Sequence, residues 1–227
     1  MRHNKVIVAL DSSNLVKTLE LVKKLKKEVY AFKIGYEFFL NFGIKGYNDV
    51  KKICPNIFLD LKLHDIPNTV NKGMRAIKNL SPLLTTIHIS GGGEMMKASI
   101  LKNCKTKVLG VSVLTSLDKK EAKKYYNENS IEIIVKKFVK EAKKYKLDGV
   151  VCSPKEIKHI RKIVGKKFLI VTPGIRIKLN RNSDDQKRVL SPNDAINLGA
   201  NYLVIGRPIT KSKNPLKEID IINKSLI

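Results

Sequence analysis

The sequence of 227 residues predicts an α/β fold, a (β/α)8 TIM barrel occupying residues 1–227 as a single domain. Three observations point there. Short apolar runs rich in β-branched residues alternate with helical patterns almost without a break. Eight such units fit a chain of this length. Charged and polar residues gather where the strand-like runs end, which is where a barrel of parallel strands keeps its site. A doubly wound open sheet is the alternative use of the same elements. No linker, low-complexity tract or repeat divides the chain.

The predicted strands cover 6–11, 30–35, 57–62, 85–90, 108–115, 149–153, 168–172 and 202–206. Helical patterns fall between them at about 13–27, 36–53, 68–80, 92–103, 130–146, 154–164, 191–199 and 215–225. Ser153-Pro154 and Ser191-Pro192 each place a capping hydroxyl before a proline at the first helical position. The connection over 175–190 is long, polar and without a clear period, as expected of a binding loop or lid.

The formal charge of +25 raises the question of a polyanionic partner. The lysines are scattered through helical segments, as at Lys23-Lys24, Lys26-Lys27, Lys136-Lys137 and Lys143-Lys144, and arginine is scarce beside them. Arginine is the better reader of phosphates and bases, so solvated helix faces are expected and nucleic acid is not. Cys54, Cys104 and Cys152 are odd in number and lack metal-ligand spacing, which suits a reducing compartment. With no leader-like start and no apolar run of membrane-spanning length, a soluble cytoplasmic protein without membrane contact is expected.

The stretch Phe58 to Thr69 is the most informative. A strand core normally excludes charge, yet this run carries Asp60 and Lys62, which the strand period of two places on one face. Asp65 lies just beyond, ahead of Pro67. Asp11 ends the first strand and Lys33 lies near the end of the second, so barrel order brings four charges of alternating sign to one mouth. A salt-bridge network closing the barrel top is the purely structural alternative.

Thr172-Pro-Gly-Ile-Arg176 and Ile205-Gly206-Arg207 each put a glycine near an arginine after strands 7 and 8, where barrels commonly hold a phosphate. Ser90-Gly91-Gly92-Gly93 reads as a flexible strand-to-helix turn rather than a phosphate loop. Thr115-Ser116 either meets a polar ring edge or is a plain turn. His64 and His88 read as satisfied core histidines. No metal-ligand spacing and no nucleophile elbow is present.

Taken together, Val8-Ala-Leu-Asp11, Lys33-Ile-Gly35, Phe58 to Thr69, Thr172 to Arg176 and Ile205 to Thr210 resemble, in order and spacing, the orotidine 5′-phosphate decarboxylase family in its bacterial branch. The resemblance covers nearly the whole chain. The Asp-x-Lys-x-x-Asp core is shared with related sugar-phosphate enzymes, and the longer run through Thr69 is far more specific.

The resemblance implies cofactor-free decarboxylation of a small-molecule nucleotide, orotidine monophosphate, to uridine monophosphate. It also implies a homodimer with shared active sites. In that likeness Lys62 stabilises the carbanion and supplies the proton, Asp60 holds Lys62 charged, and Lys33 bridges Asp60 and the ribose. Asp65 comes from the partner subunit. Asp11 and the partner's Thr69 bond ribose hydroxyls, and Thr115 contacts the pyrimidine. Arg176, Gln186, Gly206 and Arg207 hold the phosphate under loop 175–190. A magnesium-dependent sugar-phosphate decarboxylase or aldolase of the same superfamily is the alternative, and a charge-driven RNA- or DNA-binding barrel is the non-enzymatic one.

Overall fold

A computed structural model describes residues 4–175 and 190–226. Eight parallel strands close into a barrel in sequence order, β1 pairing with β8 as well as with β2. The strands are β1 Val6–Ala9, β2 Ala31–Ile34, β3 Ile57–Leu63, β4 Leu84–His88, β5 Lys107–Val111, β6 Gly149–Val151, β7 Leu169–Thr172 and β8 Tyr202–Ile205. The helices between them are α1 Leu15–Leu25, α2 Tyr36–Ile53, α3 Pro67–Leu80, α4 Gly92–Ser99, α5 Lys119–Tyr126, α6 Ile131–Lys144, α7 Ile157–Val164, α8 Pro192–Asn197, α9 Arg207–Thr210 and α10 Pro215–Ser225.

The predicted barrel is therefore the observed one, and the open-sheet alternative is not. Most predicted strands end a few residues too late, because residues read as strand, such as Leu10-Asp11 and those at 112–115, belong to the loops at the mouth. Two short helices, α5 and α9, lie where none is predicted. The signal for α5 is present in the chain: Asp118 caps it and Glu121 reciprocates in a capping box. The prolines predicted to open helices do so at Pro154 and Pro192, each preceded by a serine whose hydroxyl accepts a backbone N–H.

Alternation along the strands sorts two cores. Ile7, Ala9, Ala31, Phe58, Leu84, Leu109, Val171 and Val204 point into the barrel and pack together. Their neighbours Val6, Val8, Phe32, Ile34, Ile57, Leu59 and Ile87 face outward under the helices, in the larger cluster. Because the strand period is two, the inward set also fixes which residues reach the mouth: Lys33 follows Ala31, Asp60 follows Phe58, and Thr86 and His88 follow Leu84. Lys23, Lys24, Lys137, Lys143 and Lys144 are exposed on helices and Lys26 and Lys27 in the turn after α1, so the charge in these runs is solvated.

The opposite end of the barrel is closed by packing and by one arginine. Tyr30 and Tyr202 stack with ring centroids 3.8 Å apart. Arg161 on α7 donates to the carbonyls of Phe168 at 2.8 Å and Gly199 at 2.6 Å, to that of Gly165, and to Asn201 Oδ1 at 2.7 Å. Asn201 Oδ1 also accepts the Ile170 N–H at 2.8 Å. The guanidinium thus joins the entries of β7 and β8, and no other side chain has a planar fork of five donors to do it. Arg161→Ala is expected to lower stability by about 2–4 kcal/mol by leaving these carbonyls short of donors, measured by denaturant unfolding, whereas truncating exposed Lys143 changes stability by less than about 0.5 kcal/mol.

Candidate active site

The four predicted charges meet at the carboxyl ends of β1, β2 and β3. Asp60 sits at the centre and is 7% exposed. Its Oδ2 accepts the Lys62 Nζ at 2.9 Å and lies 3.6 Å from the Lys33 Nζ. Lys33 also reaches Asp11 Oδ1 at 3.2 Å. The order across the mouth is Asp11, Lys33, Asp60, Lys62, each charge beside its opposite.

Burial by itself pushes the Asp60 carboxyl up. Lys33 and Lys62, with hydrogen bonds from Lys62 and Thr86, outweigh it and hold the group below the ordinary carboxylate range. Asp60 is therefore ionised at neutral pH and gives a buried negative charge to two ammonium groups. Chemically, this is a preorganised cation beside an open mouth, able to meet developing negative charge and to deliver a proton.

The remaining predicted residues fall into three groups. Asp65 and Thr69 belong to the exposed β3–α3 junction, and Asp65 Oδ1 accepts the Ile66 N–H at 2.7 Å. Among the described residues Asp65 makes no ion pair, so this chain does not itself bring it to Lys62. Thr115 is half-buried in a turn beyond β5, which ends at Val111 and not at Thr115 as predicted. Gly206 precedes α9 and Arg207 begins it. With Ala9, Leu10, Asp11 and Ser12 they line a cleft of about 300 Å³. Arg176 and Gln186 lie outside the described residues. Ile175 and Leu190, which flank that segment, pair as a parallel bridge.

One expectation changes. His64 is exposed rather than a core histidine, because it lies past the end of β3. Its ring rests 5.1 Å from that of His88, which faces the mouth. Burial, then His64 and Lys62, hold His88 below its ordinary pKa, against the pull of Asp60, so the imidazole is neutral at neutral pH. The glycines at 91–93 form a turn into α4, and a Cβ at Gly93 would overlap the Tyr145 ring, so tight packing accounts for that residue.

Sequence reasoning passed over Tyr36 and Thr86, and met Gly35 only as part of a motif. Tyr36 donates its hydroxyl to the Leu61 carbonyl at 2.9 Å and sets its ring centroid 5.8 Å from the Lys62 Nζ. Thr86 is fully buried and bonds to the array. Gly35 leaves the space that Lys33 occupies: a Cβ there would stand 2.8 Å from the Lys33 Nζ and 3.4 Å from Asp11 Oδ1. Period-two counting from Leu84 reaches Thr86, but a threonine in a strand is too ordinary to draw notice.

Among the described residues no group of three or more His, Cys, Asp or Glu side chains is placed to hold a metal ion. No described helix is long and apolar enough to cross a membrane.

Comparison with known proteins places this geometry. Residues 4–222 match the orotidine 5′-phosphate decarboxylase / HUMPS family. The chain is 45% identical over 225 residues to the orotidine 5′-phosphate decarboxylase of Wolbachia sp. subsp. Brugia malayi, covering 98% of this chain and 99% of that protein. It is 44% identical over 225 residues to the one from Ehrlichia canis, covering 98% of each. Among solved structures, the Lactobacillus acidophilus orotidine 5′-phosphate decarboxylase superposes with a TM-score of 0.84 at 34% identity, covering 98% of this chain and 99% of that one. The Methanocaldococcus jannaschii orotidine 5′-monophosphate decarboxylase, solved with the inhibitor BMP, gives 0.79 at 27% identity over 98% of both.

Gly35→Ala tests how tightly the array is built. The backbone there accepts alanine, so stability is expected to stay within about 1 kcal/mol of the parent, while the Lys33 ammonium leaves its place between Asp11 and Asp60. Thermal unfolding and a crystal structure of the variant check the two parts.

Proposed function

The chain belongs to the orotidine 5′-phosphate decarboxylase / HUMPS family, and from that premise we propose that it converts orotidine 5′-monophosphate to uridine 5′-monophosphate without a cofactor, the last step of de novo pyrimidine synthesis. The observation that carries the reading is the buried, ionised Asp60 between the ammonium groups of Lys33 and Lys62.

In the proposed reaction the bond from the pyrimidine ring to its carboxylate breaks, its electron pair stays on the ring carbon, and carbon dioxide leaves. The Lys62 ammonium stabilises that carbanion and then transfers a proton to it, and solvent later restores the proton to Lys62. Asp60 keeps Lys62 charged, and its own charge near the departing carboxylate favours the loss. Lys33 bridges Asp60 and the ribose, and Asp11 takes a ribose hydroxyl.

Thr115 meets the pyrimidine edge. Arg207 and Gly206, with Arg176 and Gln186 from the 175–190 connection, hold the phosphate. Binding energy from that remote group then serves closure and the transition state.

The working form is a cytoplasmic homodimer in which each site receives Asp65 of the partner subunit and Thr69 of the partner subunit. Two features support this. Among the described residues exposed Asp65 makes no ion pair with its own chain's Lys62, and its neighbour Ile66 is 67% exposed. Tyr36 and Leu40, one turn apart on α2, add exposed apolar surface.

The test is loss of orotidine monophosphate absorbance with purified protein and excess chelator. Turnover is expected in the parent, with a loss of at least about a thousandfold in folded Lys62→Ala. Turnover near the parent's in that variant would remove Lys62 from the chemistry, and a folded parent that leaves orotidine monophosphate intact but turns over a phosphorylated sugar once magnesium is added would favour the sugar-phosphate reaction. Equimolar Lys62→Ala and Asp65→Ala chains, exchanged at random so that about half the dimers are hybrids, are expected to regain about a quarter of parental activity through each hybrid's one intact site. Hybrids that form without activity would put both residues in one subunit's site.

A further inference from the structure

Resting on the reaction proposed above, we infer that Thr86 is the positioning residue of the array: its hydroxyl ties the backbone of Lys62 to the carboxylate of Asp60. The observation is a defect in the β3–β4 ladder. Phe58 pairs with Leu84 and Leu59 with Thr85, and the next pair is Leu63 with Ile87. Asp60, Leu61 and Lys62 thus stand opposite Thr86 alone, a bulge that sets ladder groups free and re-aims side chains. Lys62 lies within it at φ +46°, in the left-handed region that non-glycine residues seldom occupy.

Thr86 restores what the bulge takes away. Its Oγ1 accepts the Lys62 N–H at 2.9 Å and donates to Asp60 Oδ1 at 2.9 Å. Because an ionised carboxylate can only accept, the hydroxyl's one proton is committed to Asp60. That fixes the turn of the Asp60 carboxylate and leaves Oδ2 toward Lys62 and Lys33. Thr86 is fully buried, so a missing hydroxyl would leave the N–H and the carboxylate oxygen short of a partner at a site closed to bulk water. Both of these partners belong to the array, so the hydroxyl acts through Asp60 and Lys62.

The experiment compares Thr86→Val, which keeps the shape and loses the hydroxyl, with Thr86→Ser, which keeps the hydroxyl. For Thr86→Val a fall in kcat of about 10–100-fold is expected, the range for partners that orient active-site groups, with KM within about threefold. The Asp60 carboxyl, followed by carbon-13 NMR, is expected to titrate at higher pH in Thr86→Val, since a hydrogen bond to its charged form is gone. Thr86→Ser is expected to recover most of both.

A Thr86→Val enzyme with parental kcat and unshifted Asp60 titration overturns the inference, as does Thr86→Ser impaired as much as Thr86→Val. Should Thr86→Val not fold, Thr86→Cys, similar in size to serine but a weak donor, makes the same comparison. A parent that does not decarboxylate orotidine monophosphate overturns the proposed reaction. The Asp60 titration in parent and variant then still decides the role of Thr86.

Discussion

Everything at the mouth of this barrel depends on keeping Asp60 ionised while it is nearly shut away from water. Desolvating a carboxylate costs several kcal/mol even after relaxation, and two ammonium groups and a hydroxyl must offset it. The barrel is the means of bringing them together. Parallel strands deliver Lys33 from β2 and Thr86 from β4 to either side of Asp60, and Lys62 arrives from the same strand two residues on. None of these groups hangs from a loop tip: all of them stand on strands of the barrel wall.

The same arrangement explains why function and fold are hard to separate in β3. A regular strand would pair with β4 throughout and carry Lys62 in an ordinary extended conformation. Instead the ladder is interrupted over Asp60–Lys62, and the strain at Lys62 is held by one side chain from the neighbouring strand. Strained backbone persists where its surroundings over-determine it, and here the surroundings are the buried polar contacts that the array itself requires.

Much of this was legible in the chain. Alternating strand and helix patterns specify the barrel because a parallel strand pair needs a crossover, and a crossover is usually a helix. Charged residues interrupting an apolar strand marked Asp60 and Lys62, and barrel order brought in Asp11 and Lys33. Strand ends were read too far, since apolar residues such as Val113 continue past the last ladder pair as packing for the loop. Thr86 and Tyr36 were passed over for a common reason. Each matters through a distance to a residue remote in sequence, 24 positions from Thr86 to Lys62 and 25 from Tyr36 to Leu61, and local pattern carries no such information.

The closure of β1 on β8 has a bearing on synthesis. The charges of the array all lie within the first 62 residues, but the wall beside them is incomplete until Tyr202–Ile205 takes its place against Val6–Ala9. A chain emerging from the ribosome therefore carries the mouth's ionic groups long before it can exclude water around them, and β1 waits with an open edge. The ion pairs are then weak, screened contacts of the kind found on any surface. They become a buried unit only when the last strand docks, so competence arrives late and all at once.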